Sequence, residues 1–360
     1  MVLDWLTKIL IRKFLINKLF TFDKAGFIIE SYSYKKVRIF ERDIFLPEYF
    51  LAELEKRVPD REILYQVGKT FAWNYWKVLG ISPRKNLREA SPLYTKEFKY
   101  YILTFYCSDL NYEILEDNLV RLIAKDYVIC KKNGIGAINC GIWAGTSGRS
   151  IGNKRVESVH TSCEGRGDSR CEALIGLPEE IQKYTSPSWK YTEVPDYKLD
   201  DRYYRVYNRV INVEGPSLLS LLKSKVLTYS QGKLQLGKLR LFPIEVSFLH
   251  LLEKSLDSPT IFEIAKETGQ LMRKECLLRE MYRLPSALGF GIINYFKLPG
   301  REMVKVHSYP YSCQLSNFNF PFITGFLSGL FSEEDKEYSF KVSKHIFTDN
   351  LTLILENESK

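Results

Sequence analysis

The sequence predicts an α/β fold of the α+β kind, with two similar domains that each pack an antiparallel sheet with helices. Apolar and polar residues alternate along two stretches, 27–46 and 226–242, as is typical of strands. Each stretch is followed by apolar residues at a spacing of three to four, which indicates helices. Because both halves of the chain repeat this order, we interpret them as two copies of one unit.

Each predicted copy continues in the same way. Pro47 and Pro243 come where the first helix of each copy begins, and proline fits the first turn because no amide donor is needed there. A second helix follows, and later "NCGIWAGTSGRSIG" aligns with "NFPFITGFLSGLFS", with Gly145 opposite Gly325. Glycines spaced four apart let another backbone approach closely, so these segments are predicted to be tightly packed helices. Both copies end in strands.

The predicted domain boundary lies near residue 195, inside a segment rich in proline, tyrosine and charge. The first domain is residues 1–195 and the second is 196–360. The first 20 residues are apolar but interrupted by lysines and arginines, so we expect a basic surface helix followed by strands. We expect neither a cleavable signal peptide nor a transmembrane helix from this segment.

Cysteine usage and charge narrow the class of protein. Seven cysteines scattered over 360 residues do not form the pattern of a secreted disulfide framework, which favours a reducing, cytoplasmic location. The net charge is +9, and the excess is concentrated: residues 1–100 hold 19 Lys/Arg against 12 Asp/Glu, and residues 201–250 hold 8 against 3. Positive charge segregated in this way can attract polyanions, although it also serves solubility.

One short motif, "HTSCEGRGDSRCEALIG" at 160–176, carries the densest chemistry. Its two cysteines are eight positions apart around glycines, and His160 comes three residues before the first. A metal site, ordinary buried thiols, a Cys163–Cys171 disulfide and a nucleophilic cysteine are all compatible with this spacing. No serine, histidine or carboxylate combination elsewhere forms a catalytic constellation, so we expect a protein that is not an enzyme.

The arrangement of Cys140, Gly145, the Cys163–x7–Cys171 pair with its glycines, and the apolar strand "EALIG" resembles the vinyl-4-reductase-type (4VR) domain. The resemblance covers roughly 45–180, and 240–356 follows the same order of elements without the cysteines, as a degenerate second copy. It implies an α/β fold that serves mainly for ligand binding. Sensory members hold zinc through three cysteines and one acidic residue. Carried over, the cysteines are Cys140, Cys163 and Cys171, while His160 stands at the acidic position.

Histidine is an ordinary zinc ligand, and four protein ligands make a closed, structural site. We therefore predict structural Zn²⁺ held by Cys140, His160, Cys163 and Cys171, with no role in catalysis.

Two functions remain open from the sequence. The first is a regulatory protein that docks on the ribosome or another RNA-rich assembly, as a dormancy or inhibitory factor, through basic residues that contact phosphates. Those residues are Lys35, Lys36, Arg38, Arg84, Lys85, Arg88, Lys233, Lys238 and Arg240. The alternative is an intracellular sensor of a small hydrophobic or aromatic ligand that signals through a protein partner, since 45 residues are Tyr or Phe and could line a pocket.

Overall fold

The structure is a computed structural model with side chains. It describes residues 20–34, 37–80, 82–185, 194–195, 215–276, 281–299, 301–310, 319–333, 336–347 and 351–357. The predicted N-terminal helix and most of the segment around the predicted boundary, 186–193 and 196–214, lie outside these residues.

The first copy begins with three strands, continues through helices and ends in a second sheet. Its strands are β1 Phe20–Thr21, β2 Ile28–Tyr34, β3 Val37–Pro47, β4 Asp109–Glu116, β5 Leu119–Lys125, β6 Glu157–Ser162 and β7 Cys171–Gly176. Its helices are α1 Glu48–Arg57, α2 Arg61–Val78, α3 Leu87–Pro92, α4 Lys99–Phe105, α5 Cys130–Asn133, α6 Ala137–Ile151 and α7 Pro178–Ile181, with a π-helical turn at Leu93–Phe98 that joins α3 to α4.

The second copy repeats the plan with fewer helices between its sheets. Its strands are β8 Leu227–Ser230, β9 Lys233–Leu236, β10 Leu239–Glu245, β11 Ile292–Leu298, β12 Arg301–His307, β13 Phe340–Phe347 and β14 Leu351–Asn357. Its helices are α8 Leu218–Lys223, α9 Val246–Ser255, α10 Ser258–Glu275, α11 Leu284–Ala287 and α12 Pro321–Phe331.

Three sheets organise these strands. The four-stranded sheets have the orders β4-β5-β7-β6 and β11-β12-β14-β13, so each copy forms one of its own with the same connectivity. The third sheet has six strands in the order β1-β2-β3-β10-β9-β8, and it joins the copies because β3 pairs antiparallel with β10. Ile44 lies opposite Ile244 at this junction. Helices packed on antiparallel sheets confirm the predicted fold class.

A close helix pair forms the centre of each copy. If Gly141 on α6 carried a Cβ, that atom would lie 2.1 Å from the Tyr65 carbonyl oxygen on α2. In the second copy, a Cβ on Gly325 of α12 would lie 2.3 Å from the Phe262 carbonyl oxygen on α10. Both distances are far below contact, so only glycine lets these backbones touch. The glycine spacing in the sequence therefore predicted the packing of both pairs.

Replacement of Gly141 by alanine is expected to lower the free energy of unfolding by about 3 kcal/mol, since α2 and α6 must separate to admit the methyl group. Arg61→Ala, at an exposed position on the same helix α2, is the control and is expected to cost under about 0.5 kcal/mol. Urea denaturation of both variants measures the difference. Equal stability of the two would contradict the helix contact.

The two copies interlock through the helices that follow the shared sheet. Phe50 on α1 packs edge-on against Phe322 on α12, with ring centroids 4.8 Å apart. In the reverse direction, Phe248 on α9 packs against Phe71 on α2 at 5.3 Å. All of these rings are at least nine-tenths buried, and each contributes on the order of 2 kcal/mol through apolar surface removed from water. Each copy thus completes the core of the other.

One predicted helix boundary is wrong. Pro47 is the N-cap residue of α1, close to the first-turn position expected for it. Pro243, however, lies within strand β10 opposite Phe45, and α9 begins three residues later at Val246. Proline cannot donate a hydrogen bond within a sheet, so the pattern favoured a helix start. Among the described residues, no helix is long and apolar enough to cross a membrane.

Candidate metal centre and apolar pocket

Three side chains meet inside the first copy in an arrangement that could hold a metal ion. A ring nitrogen of His160 and the Sγ atoms of Cys130 and Cys171 all lie within 4.8 Å of one another. Both cysteines are buried and the histidine is half-buried. Thiolate sulfur and imidazole nitrogen are the donors that zinc and similar metals prefer in proteins.

Two strands and a tight turn bring His160 and Cys171 together. His160 lies on β6 opposite Ala173, and Cys171 is the first residue of the antiparallel strand β7. Between them, a 3₁₀ turn at Glu164–Arg166 reverses the chain, and the Cys163 amide donates a hydrogen bond to Asp168 Oδ2 at 2.6 Å. The Gly-rich loop therefore folds back as the motif predicted.

Cys130 reaches the same place through a strained turn. The preceding residue, Ile129, has φ 71° and ψ −58°, and the Cys130 amide donates to the Val128 carbonyl at 2.9 Å, which closes a γ-turn. A buried carboxylate, Glu48 Oε1, accepts the Ile129 amide at 2.9 Å and holds the turn in place. Strain of this kind costs about 1–3 kcal/mol and is maintained here by α1, which aims the thiol at His160.

Cys163 lies beside the three-residue cluster. Its Sγ is 3.9 Å from the Cys171 Sγ and 3.4 Å from the Cys130 carbonyl oxygen. Hydrogen bonds from the thiols of Cys130 and Cys171 lower the pKa of Cys163. A lowered pKa favours the thiolate, which is the form of cysteine that binds a metal.

The surroundings of the cluster fit a metal ligand set. A Cβ on Gly136 would lie 2.6 Å from His160 Nδ1 and 3.1 Å from Cys130 Sγ, so a larger residue would fill the space between the two donors. His160 Nδ1 is buried and has no hydrogen-bond partner among the described residues. Burial lowers the pKa of His160, which keeps the imidazole neutral and able to bind a metal. Asn139 Nδ2 donates a hydrogen bond to Cys130 Sγ at 3.0 Å. Hydrogen bonds of this kind orient the ligands of a metal.

The prediction for Cys140 needs a correction. This residue lies on α6, where it packs with Tyr65 and Ala144, and the close group of donor atoms contains Cys130 in its place. Burial raises the pKa of the Cys140 thiol to about 12. One sequence signal marks the position of Cys130: the residue stands directly before the turn "KKNGIG". Gly134 and Gly136 of this turn both have positive φ.

A second feature is an apolar pocket of about 90 Å³ between the helices of the first copy and the shared sheet. Its walls come from α2, the π-helical turn, α4, α6 and strand β10 of the second copy, so both copies contribute to it. Aromatic rings dominate the lining: Phe71, Tyr75, Trp76, Tyr94, Phe98, Tyr101, Tyr106, Tyr127 and Trp143. A cavity with these walls suits a small apolar ligand.

Some of the residues predicted to contact RNA are exposed, and others lie outside the residues that the structure describes. Lys35, Lys36 and the side chain of Arg38 lie outside what is described, while Arg84, Lys85, Arg88 and Lys238 are exposed. Arg88 pairs with Asp117 at 2.7 Å on the surface.

Two of the predicted RNA contacts instead join the copies. Arg240 is 7% exposed and donates to the carbonyl oxygens of Asp126 at 2.9 Å and Phe105 at 3.0 Å. Lys233 forms an ion pair with the Asp126 carboxylate. The prediction for Arg240 is therefore corrected: its guanidinium is buried within the fold, where it donates to two carbonyl oxygens of the first copy.

Comparisons with known proteins do not identify a family for this chain. No family model matches the chain. An uncharacterised protein of Methanocaldococcus jannaschii is 28% identical over 124 residues, which cover 33% of this chain and 66% of that protein. A solved structure, trafficking protein particle complex subunit 3 from Naegleria fowleri covalently bound to palmitic acid, matches 36% of this chain and 94% of its own with 15% identity and a TM-score of 0.27. That score is too low to carry an argument, and the resemblance to the 4VR domain stays a prediction.

Proposed function

We propose that this protein is a non-catalytic sensor that binds a small hydrophobic or aromatic molecule and signals through a protein partner. The observation that carries the proposal is the aromatic pocket with walls from both copies. Ile244 and Glu245 of β10 line the same pocket as Trp76 and Trp143 of the first copy. A ligand that fills this space touches both copies, so binding can change how they pack and thereby alter a surface that a partner recognises.

The pocket contains its own reporters, because Trp76 and Trp143 line it. We expect benzyl alcohol, used as a neutral aromatic probe, to change their fluorescence in a saturable way. Ile142→Trp, which places a larger ring in the pocket wall, is expected to weaken that binding about tenfold, and Arg155→Ala on the exposed surface should leave it unchanged. Absence of saturable binding to the unmodified protein would contradict the proposed function.

We further propose that the metal is zinc and that it is structural. Cys130, His160, Cys163 and Cys171 supply four donors, which is the number that closes a tetrahedral zinc site. Bound there, the ion supplies a cross-link between the turn after β5, strand β6 and strand β7. Because all four ligands come from the protein, the site leaves no position for a reacting water.

A second candidate function is docking on the ribosome or another RNA-rich assembly. The exposed basic residues Arg84, Lys85 and Lys238 favour it, since exposed cations can contact phosphates without sequence preference. Reversal of the charge at Arg84 and Lys85 together is expected to reduce association with ribosomes about tenfold at low salt. Sedimentation through sucrose at two salt concentrations tests this, and unchanged co-sedimentation would count against RNA docking.

A further inference from the structure

The Cys130 cluster and the aromatic pocket share a wall. A smaller cavity, of about 20 Å³, lies against the cluster and is lined by Cys130, His160 and Cys171. Tyr127 and Trp143 line this cavity and also the aromatic pocket, so the two spaces meet at these rings. Both rings are buried, and Trp143 Nε1 donates a hydrogen bond to the Tyr127 hydroxyl at 3.0 Å, which fixes one ring against the other.

Residues 127–130 form a short segment, the linking segment, that runs from the pocket to the cluster. Its first residue is the tyrosine of the shared wall, and its last is the cysteine of the cluster. The Val128 amide donates to the carbonyl oxygen of Tyr106, whose ring also lines the pocket. Asn139 Nδ2 donates to the Val128 carbonyl oxygen at 2.7 Å and to the sulfur of the cysteine at 3.0 Å. The linking segment is therefore bound at both sites.

The linking segment contains one strained position. Ile129 has φ 71°, in a region that a β-branched side chain rarely adopts. Conformations of this kind persist only where the surrounding contacts hold them, and here the Glu48 carboxylate accepts the Ile129 amide. A metal ion bound to Cys130 would add a second restraint on the same turn. The turn is thus an element that a metal at one site and a ligand at the other can both bias.

We propose that metal binding at the Cys130 cluster and ligand binding in the aromatic pocket are coupled, so that each raises the affinity of the other. With the metal bound, Cys130 is held and the linking segment keeps Tyr127 in the pocket wall. Without the metal, the turn at Ile129 relaxes and the wall is displaced. This inference rests on the proposed ligand-binding function and on the proposed zinc site, and it names the regulation of the pocket: a ligand is bound tightly only by a chain that holds its metal.

Two measurements on the full chain test the coupling in opposite directions. Benzyl alcohol is titrated against the tryptophan fluorescence with Zn²⁺ bound and after removal of the ion by EDTA, and we expect removal to weaken its binding about tenfold. The affinity for Zn²⁺ is measured by competition with a chromogenic chelator, and we expect saturating benzyl alcohol to raise it by the same factor, because coupling between binding sites is reciprocal.

A variant that keeps the metal separates this coupling from a general loss of folding in the metal-free chain. Asn139 does not line the aromatic pocket, but it holds the linking segment, so Asn139→Ala at saturating Zn²⁺ is expected to bind benzyl alcohol about fivefold more weakly. Asn74→Ala on α2 is the matched control: both asparagines are 5% exposed, and Asn74 Nδ2 also donates to a backbone carbonyl oxygen, that of Thr70. This control should bind benzyl alcohol as the unmodified chain does. Metal analysis of each variant confirms that Zn²⁺ is bound.

The outcomes separate this inference from the proposals on which it rests. Equal affinity for benzyl alcohol with and without Zn²⁺ would overturn the coupling while ligand binding in the pocket stands. No binding to the zinc-loaded chain would contradict the sensor function, and no uptake of Zn²⁺ would contradict the metal site; the coupling fails in either case. If Asn74→Ala weakens binding as much as Asn139→Ala, the role of the linking segment is overturned.

Discussion

Cys130→Ser is expected to abolish metal binding, whereas Cys140→Ser is expected to retain one metal ion per chain. Cys130 Sγ belongs to the close group of donor atoms with His160 and Cys171, and Cys140 packs elsewhere on α6. Both residues are buried cysteines with almost identical exposure, 1% and 2%, so the two variants are matched in residue type and burial. Loss of a ligand should weaken binding at least about 100-fold, since changes behind the ligands alone cost 10–100-fold.

The measurement is metal analysis of the purified chain after dialysis, together with thermal unfolding with and without a chelator. Metal binding to the folded state is stabilising, so the chelator should lower the Tm of the unmodified protein and of Cys140→Ser but not that of Cys130→Ser. The reverse pattern, with metal lost from Cys140→Ser and kept in Cys130→Ser, would restore the ligand set inferred from the sequence and contradict the structure.

Loss of the metal is also expected to lower the local stability of the β9–β10 hairpin in the second copy. The Glu164 carboxylate, in the turn between the proposed ligands Cys163 and Cys171, accepts the Asp126 amide, and Asp126 in turn pairs with Lys233 of β9. One hydrogen bond, from Asp126 to Glu164, and one ion pair, between Asp126 and Lys233, therefore link this turn to the second copy. Hydrogen exchange of the β9–β10 amides is expected to increase when the chelator is added, by roughly tenfold if the hairpin loses about 1.4 kcal/mol of local stability.

Much of the fold followed from pattern alone because periodicity and glycine spacing are local signals. Alternation predicted β2, β3, β9 and β10, and the glycines at positions 141, 145, 325 and 329 predicted helices that touch along their backbones. The pairing of β3 with β10 was not predictable in this way. Sheet pairing across some 200 residues depends on tertiary contact, and no local rule distinguishes two separate hairpins from one shared sheet.

The candidate site was predicted in part for the same reason. His160 and Cys171 come together through a short turn, which the spacing of the motif describes well, and Cys163 lies beside Cys171. Cys130 joins them from 30 residues upstream through a backbone conformation at Ile129 that isoleucine rarely adopts. Sequence patterns predict favourable conformations, so a ligand that depends on a strained turn held by Glu48 is missed by them.

Lys69→Ala is expected to lower the free energy of unfolding by about 3–5 kcal/mol, because it leaves a buried carboxylate without its partner. Lys69 Nζ lies 2.6 Å from Glu157 Oε1, and each side chain is 1% exposed. The Tyr65 hydroxyl also donates to this carboxylate, so α2 and β6 are joined at one point. Burial lowers the pKa of Lys69 and raises that of Glu157, which shows that desolvation opposes both charges and that each depends on the other.

The surface pair Arg88–Asp117 is the matched control, with side chains 55% and 65% exposed, and Arg88→Ala should cost under about 1 kcal/mol. The double change Lys69→Met with Glu157→Leu removes both charges, and it is expected to recover most of the stability that Lys69→Ala loses. Urea denaturation of the four proteins gives the comparison. If the double variant is as unstable as Lys69→Ala, the loss comes from packing around α2 and not from an unpaired charge. The buried pair would then be a spacer in the helix contact, and its ionic character would contribute little to the fold.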